Sequence, residues 1–222
     1  MENSKPTVVP LIAHFQLSKN QCPQPESEMQ KMSKIPYSNV IGSIMFLMVC
    51  TRPDVAYAIS CLSRYMSNPD SNYANDRDSR KSTTSYMFTF CNSCISWKSQ
   101  LQHIVALSTT EAEYIATTEA FKEALWLSGL LNEIGFLKEK PVIFSDSQSA
   151  IQLCRNPVFH DRTKHIDVRY HFIRDIVGKN EIRLEKISSD ENPADMGTKC
   201  LPIEKFCTSK EYFLAMMRKP DP

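Results

Sequence analysis

The alternation of apolar and polar positions changes character near Pro69. Before it, Val55, Ile59, Leu62 and Met66 recur at helical spacing and form one apolar face, so residues 37–66 are predicted to be helical. After it, "TSYMFTFCNSCISWKS" alternates as two strands around a turn at residues 91–94, and "HIVALS" is predicted to be a third strand. The pattern therefore predicts a helical segment followed by a strand-rich unit.

The best-bounded predicted element is a helix over residues 108–135. Ser108 is its predicted N-cap, Glu111 completes a capping box, and Gly135 marks its end. At about 100° per residue, the apolar positions on the face of Glu113 are Ala116, Ala120, Ala124, Leu127 and Leu131. Glu111 points roughly 160° away from that face. We interpret Glu111 as a cap and Glu113 as an inward-facing carboxylate that needs a cationic partner, either a basic side chain or a metal ion.

Three further carboxylates occur at points where chemistry is often found. Asp146 ends the apolar run "VIFSD". In one interpretation, Asp146 or Ser147 caps the helix predicted near residues 149–154. In the other, Asp146 is an active-site acid at the carboxyl end of a strand. Asp195, in "ENPADMGTK", would by itself be a helix N-cap, and Asp70 is one of several acids in a loop. Brought together, such acids would suit Mg²⁺ or Mn²⁺.

The order of the predicted elements favours an α/β fold, with a mixed sheet and helices on its faces. A helix over residues 167–177 and a strand at "IRLEKIS" complete the pattern. We predict an extended or disordered lead-in at residues 1–36, a helical segment at 37–69, the α/β domain at 70–206 and a tail at 207–222.

Composition adds few constraints. The net charge is +1, so no whole-chain field indicates nucleic acid, a membrane or an acidic partner. The start "MENSKPTVVP" lacks the basic and apolar blocks of a secretory leader, and the longest apolar run, "VIGSIMFLMVC", is too short to span a bilayer. We therefore expect an intracellular protein, cytoplasmic or nuclear, with reduced thiols, and we interpret Cys91 and Cys94 as part of a turn.

Residues 155–174 contain five Arg or Lys against two Asp. This stretch is either a solvated helix face or a surface that contacts a phosphate backbone, for which Arg162, Lys164 and Arg169 are the best candidates. Lys98 could also neutralise nucleic acid, whereas its neighbour Trp97 is expected in the core.

Four stretches carry a resemblance to a known family: "SWKSQLQHIVALSTTEAEYIA", "SDSQSAI", "RTKHIDVRYHFIRD" and "ENPADMGTK". They resemble the ribonuclease H domain of copia-type retrotransposon Pol polyproteins, over nearly all of residues 70–206. The stretch from residue 32 to 69 resembles the end of the reverse-transcriptase region. The resemblance implies a ribonuclease H-like fold and Mg²⁺- or Mn²⁺-dependent cleavage of the RNA strand of an RNA:DNA hybrid. It places the metal-binding and catalytic acids at Asp70, Glu113, Asp146 and Asp195.

The chain also departs from that family. In the family a few dozen residues, including a helix and strands, separate the "SRYMSNP" motif from the first acid, whereas here Pro69 adjoins Asp70 as if by an internal deletion. Ser85 stands where a glycine is usual. No Tyr-x-Asp-Asp polymerase motif is present, which argues against reverse transcription by this chain. An active hydrolase and a non-catalytic nucleic-acid-binding or decayed remnant both stay open, while a secreted interaction protein is disfavoured.

Overall fold

The computed structural model describes residues 6–12, 25–66, 80–91, 93–156 and 172–217. Its first helices are α1 (Glu26–Ser33), α2 (Tyr37–Thr51) and α3 (Ala56–Ser63), with a 3₁₀ turn at Pro53–Val55. The following elements are β1 (Thr83–Phe90), β2 (Ser93–Leu101), α4 (Thr109–Glu133), β3 (Val142–Ser145), α5 (Gln148–Arg155), α6 (Phe172–Gly178), β4 (Arg183–Lys186), a 3₁₀ helix at Pro193–Gly197 and α7 (Ile203–Met217). The protein is mixed α/β, as predicted.

The described strands form two small sheets rather than the single mixed sheet that we predicted. β1 and β2 are an antiparallel hairpin, and β3 and β4 are a parallel pair. Each of β1 and β3 has a partner strand on one side only within the described part of the chain. No described strand joins the two sheets.

The predicted third strand at "HIVALS" is wrong. The amide of Gln102 donates to the carbonyl of Ser82 at 2.8 Å, which extends the β1–β2 ladder by one pair. The buried side chain of Gln102 then donates to Thr84 Oγ1 and to the carbonyl of Ala112 in α4. These bonds direct the chain to the start of α4 instead of continuing a strand.

The limits predicted for α4 are confirmed. Ser108 Oγ accepts a hydrogen bond from the Glu111 amide at 3.2 Å, and the Glu111 carboxylate accepts one from the Leu107 amide at 2.7 Å. Gly135 follows the helix with φ +74°, the left-handed conformation that glycine adopts at helix ends. Local capping chemistry is sufficient to place both ends.

Two apolar clusters cover the two faces of the β1–β2 hairpin. The larger joins α4 to the β3–β4 sheet and contains Tyr114, Phe121, Ile143, Ile151, Ile173 and Leu184. The smaller lies below the other face and contains Val9, Met196, Leu201 and Phe206, with Trp97 packed against it. The expectation that Trp97 belongs to the core is therefore confirmed.

Two predicted boundaries differ at the ends of the chain. Residues 26–33, expected to be extended, form α1, because Glu26 and Glu28 lie in its first turn and Lys31 in its last, where they complement the helix dipole. Residues 207–217, expected to be tail, belong to α7. No single described helix is long and apolar enough to cross a bilayer, and α1 and α2 meet that criterion only as a pair bent by 49°.

The turn between β1 and β2 places a residue other than glycine in a strained conformation. Cys91 has φ +48°, where the Cβ atom of an L-residue is crowded by backbone. Cys94 is buried, and burial raises the pKa of its thiol to about 11. Cys91 lies in the turn as predicted, whereas Cys94 already belongs to β2, where it pairs with Thr89, and neither thiol forms a disulfide among the described residues.

We expect Cys91→Gly to raise the free energy of unfolding by about 1 kcal/mol, because glycine adopts positive φ without a steric penalty. Urea denaturation measures the change. Cys91→Ala is the matched control and should give no gain, since alanine keeps the crowded Cβ atom. Equal stabilisation by both variants would show that the thiol, not the backbone, is responsible.

Candidate carboxylate site

Three of the predicted acids line one cavity of about 480 Å³. Glu113 comes from the N-terminal part of α4, Asp146 from the residue after β3, and Asp195 from the 3₁₀ helix before α7. These elements are far apart in sequence, so the fold alone brings the side chains together.

Asp146 does not cap the helix that follows it. Ser147 Oγ accepts a hydrogen bond from the Ala150 amide at 3.2 Å and is the N-cap of α5. The carbonyl of Asp146 accepts a hydrogen bond from the Lys186 ammonium, which fixes the backbone at the end of β3. The Asp146 carboxylate is directed to the cavity, and it has no capping role in α5.

Asp195 is not an N-cap either. Asn192 Oδ1 accepts a hydrogen bond from the Ala194 amide at 3.1 Å and caps the 3₁₀ helix. Asp195 is 6% exposed, and its Oδ2 atom pairs with Lys199 Nζ at 2.9 Å and Lys205 Nζ at 3.0 Å. The buried charge of Asp195 is therefore balanced by two lysines.

The two lysines differ in their surroundings. Lys205 also donates to the carbonyl of Ser189 at 2.6 Å, and its side chain is 24% exposed. Lys199 lines the cavity, and its side chain is 56% exposed. Neither lysine was predicted from the sequence, although Lys199 follows Asp195 by four positions, a spacing that pairs opposite charges in helical turns.

The structure corrects the prediction for the two glutamates of α4. Glu111 is the buried one, at 3% exposure, and Glu113 is exposed in the cavity. The buried face of α4 is centred on Tyr114 and Phe121, which lie roughly 100° and 80° from Glu113. Glu111 and Glu113 therefore lie at opposite edges of a face broader than the one predicted.

Glu113 is close enough to the other acids to be affected by their charge. The pKa of the Glu113 carboxyl is raised, first because the cavity wall displaces water and then because Asp146 and Asp195 repel its negative charge. Lys199 opposes this rise. Among the ion pairs between described residues, none includes Glu113, so of the two cationic partners considered for it a basic side chain is not found in this part of the chain.

We expect the stability effect of Glu113→Gln to depend on pH. Because the pKa of Glu113 is raised in the folded protein, protonation of Glu113 favours folding. Its contribution to the free energy of unfolding is fully present below the ordinary glutamate pKa and is lost as pH rises through the folded pKa. Glutamine mimics the protonated acid. Its stabilising effect, measured as a shift in urea midpoint, should be larger near pH 7 than near pH 4. A shift that is the same at both pH values would contradict a raised pKa of Glu113.

The chemistry of the donors fits a hard divalent cation, since carboxylate oxygens are the ligands that Mg²⁺ and Mn²⁺ prefer. In the part of the chain that the structure describes, no three acidic, histidine or cysteine side chains are grouped closely enough to hold one ion. Asp195 is held by Lys199 and Lys205 instead. Both lysines pair with Oδ2, so an ion bound by Asp195 would be ligated through Oδ1 or would replace a lysine at Oδ2.

Five other residues were predicted to bind metal or nucleic acid. Asp70, Arg162, Lys164 and Arg169 lie outside the described residues, so their positions are not described. Lys98 is half-buried on β2 opposite Tyr86 and is not part of the cavity wall.

The fold and the site define a mixed α/β protein in which three carboxylates surround one cavity. Over 95% of its length the chain is 45% identical to the retrovirus-related Pol polyprotein from transposon TNT 1-94 of Nicotiana tabacum. It is 31% identical, over 93% of its length, to the corresponding polyprotein from transposon RE1 of Arabidopsis thaliana. Secreted RxLR effector protein 161 of Plasmopara viticola is 36% identical over 44% of the chain, which covers 94% of that protein.

The chain is therefore homologous to retrovirus-related Pol polyproteins of copia-type plant transposons. It spans 19% of the tobacco polyprotein and 16% of the RE1 polyprotein. No family model matches the chain. No solved structure matches it either.

The alignment with the tobacco polyprotein also bears on the deletion that the sequence suggested. It extends over 247 positions, more than the 222 residues of the chain, so the relative has residues with no counterpart here. An internal deletion would produce this difference; its place, between Pro69 and Asp70, stays a prediction.

Proposed function

We propose that the chain is a retrotransposon-derived hydrolase of the ribonuclease H type, which cleaves the RNA strand of an RNA:DNA hybrid and needs Mg²⁺ or Mn²⁺. One observation carries the proposal: Glu113, Asp146 and Asp195, from three separate elements, line the same cavity. Carboxylates around one cavity are the donor type that a metal-assisted phosphodiester hydrolysis needs. Descent from transposon polyproteins supports the same assignment.

In this proposal Glu113, Asp146 and Asp195 hold the ions, with Asp70 as the fourth acid. A bound ion would supply an activated water and stabilise charge on the leaving oxygen. Lys205, anchored on Ser189, keeps Asp195 in place from outside the cavity. Lys199, inside the cavity, is suited to bind a phosphate oxygen of the substrate.

The other cavity residues can tell RNA from DNA by hydrogen bonding. Three hydroxyl side chains, Ser82, Thr83 and Ser85, lie on the wall formed by the start of β1. Hydroxyls can both donate to phosphate oxygens and bond to ribose 2′-hydroxyls, the groups that distinguish RNA. Phosphate contacts outside the cavity would come from Lys98, Arg162, Lys164 and Arg169.

A second function, binding of nucleic acid without cleavage, is favoured by a different observation. Lys199 and Lys205 form ion pairs with the buried Asp195, as in a purely structural salt bridge. No three acids of the described residues are grouped closely enough to bind one metal ion. In that case the chain is a remnant that keeps the fold and the substrate surface but not the chemistry.

Cleavage and binding of one substrate separate the two functions. We would incubate the chain, shown to be folded by circular dichroism, with a hybrid labelled on its RNA strand, in Mg²⁺ and in Mn²⁺. Ion-dependent cleavage of the hybrid but not of single-stranded RNA supports the hydrolase. Binding by fluorescence anisotropy without cleavage in either ion supports the remnant. A folded chain that neither binds nor cleaves contradicts both.

A further inference from the structure

The hydrogen-bond register shows which backbone groups of β1 point away from β2. Ser82 and Gln102 form a hydrogen-bonded pair, and such pairs alternate along an antiparallel ladder. Every second residue from Ser82 onward therefore faces β2, and the residues between them turn their N–H and C=O groups outward: Thr83, Ser85 and Met87. No hydrogen bond of the described residues reaches these outward groups.

The pairing of β3 with β4 likewise shows which backbone groups of β3 point away from its partner strand. The Arg183 amide donates to the carbonyl of Pro141, and the Ile187 amide donates to the carbonyl of Ser145. In a parallel pair this register turns the odd-numbered residues of β3 toward β4, so Val142 and Phe144 present their backbone groups to the other side. The side chain of Phe144 is also 56% exposed.

The carboxylate cavity lies at the free edge of β1. Two residues with outward backbone groups, Thr83 and Ser85, are part of its wall. Ala112 and Ala116 of α4 line it as well, and their small side chains leave space beside the strand. Asp146, the residue that follows β3, lines the cavity as well. The cavity thus lies beside the free edge of β1 and α4 and reaches the carboxyl end of β3.

We propose that the space between β1 and β3 is an acceptor site for one extended strand supplied by another polypeptide. The strand would pair with the outward groups of Thr83, Ser85 and Met87 on one side and with those of Val142 and Phe144 on the other. An extended peptide fits this edge, because every second residue of a β-strand turns its N–H and C=O groups to the same side. These groups can pair with the outward N–H and C=O groups of β1. This inference does not depend on the proposed nuclease activity.

The alignment indicates where such a strand comes from. The tobacco polyprotein has residues with no counterpart in this chain, although 95% of the chain aligns with it. The stretch that leads into β1 here, "SNPDSNYANDRDS", lacks the alternating apolar residues of a strand. We therefore assign the strand to an intact Pol polyprotein of the family, with apolar side chains at alternate positions to face the core around Tyr114 and Ile143.

A synthetic peptide tests the acceptor site. Its sequence is the stretch of the tobacco polyprotein that lacks a counterpart here and precedes the residues aligned with β1. We expect the labelled peptide to bind the full chain saturably by fluorescence anisotropy, and a scrambled peptide to bind at least about 10-fold more weakly. Hydrogen exchange by NMR should slow at the amides of Thr83, Ser85 and Met87 by about 10-fold or more, with smaller changes at Thr84 and Tyr86.

A matched pair of chain variants checks the register. Thr83→Pro removes an outward N–H at the first residue of β1, where proline leaves the β1–β2 ladder intact, and should weaken peptide binding. Thr83→Val keeps that N–H and should bind as the wild type does. No peptide binding, or equal slowing at Thr84 and Tyr86, overturns the proposal.

Two further outcomes would overturn the proposal that β1 accepts a strand from another polypeptide. Outward amides that already exchange slowly in the free chain would show that the chain's own residues pair with β1. Slowing that appears with chain concentration, without peptide, would show that a second copy does so. The experiment contains neither nucleic acid nor metal, so its failure is distinct from a failure of the hydrolase proposal.

Discussion

Replacing Asp146 with asparagine should lower the rate of hybrid cleavage by roughly 100-fold or more and leave the fold intact, the effect typical of losing one group that stabilises transition-state charge. Among the described residues, the Asp146 carboxylate takes part in no hydrogen bond or ion pair, and helix capping at this point belongs to Ser147. Asparagine has nearly the same shape. The change therefore removes charge from the cavity without removing a structural contact.

Initial cleavage rates in Mg²⁺ and Mn²⁺, together with urea midpoints, measure both parts of this expectation. The matched control is Glu111→Gln, which also replaces one acid of the region by its amide. Glu111 is buried and caps α4 by accepting a hydrogen bond from the Leu107 amide, and it does not line the cavity. We expect Glu111→Gln to lower the free energy of unfolding by about 0.5–1 kcal/mol and to leave the rate of hybrid cleavage unchanged. Equal losses of rate in both variants would contradict the proposed site.

Replacing Gly197 with alanine should destabilise the protein by about 1–3 kcal/mol, as overpacking of a tight contact does. A Cβ atom at residue 197 would lie 2.1 Å from Ser85 Oγ and 2.9 Å from Ser85 Cβ. The Ser99 hydroxyl donates to the carbonyl of Gly197 at 2.6 Å and holds the 3₁₀ helix against the hairpin. Because Asp195 belongs to that helix, the displacement should also disturb the carboxylate cavity.

A second substitution tests whether contact with Ser85 is what makes Gly197→Ala destabilising. Ser85→Gly removes both atoms that the new methyl group would meet, and glycine is the residue that the family resemblance leads us to expect at this position. The double variant should recover most of the lost stability, with a coupling free energy of about 1–3 kcal/mol in a double-mutant cycle. Additive losses in urea denaturation would mean that strain in the 3₁₀ helix, rather than contact with Ser85, makes alanine unfavourable.

The sequence by itself determined the elements whose causes are local. The ends of α4 follow from the capping hydroxyl of Ser108 and from Gly135, and both were predicted because caps involve neighbours in sequence. The β1–β2 hairpin follows from alternation around a short turn. Glu113 and Asp146 were singled out by their places in predicted elements, but the grouping of the acids into one site came only from the resemblance, since spacing along the chain says nothing about the distance between Glu113 and Asp195.

Only the tertiary structure decided which way these side chains face. Helical periodicity gives the angle between Glu111 and Glu113 but not the direction of the core, which depends on what packs against α4. The lysines that balance Asp195 come from the following turn and from α7, so burial and folding select them. The separation into two sheets is likewise a property of strand pairing, which joins residues distant in sequence and needs a strand that the described chain does not place between β1 and β3.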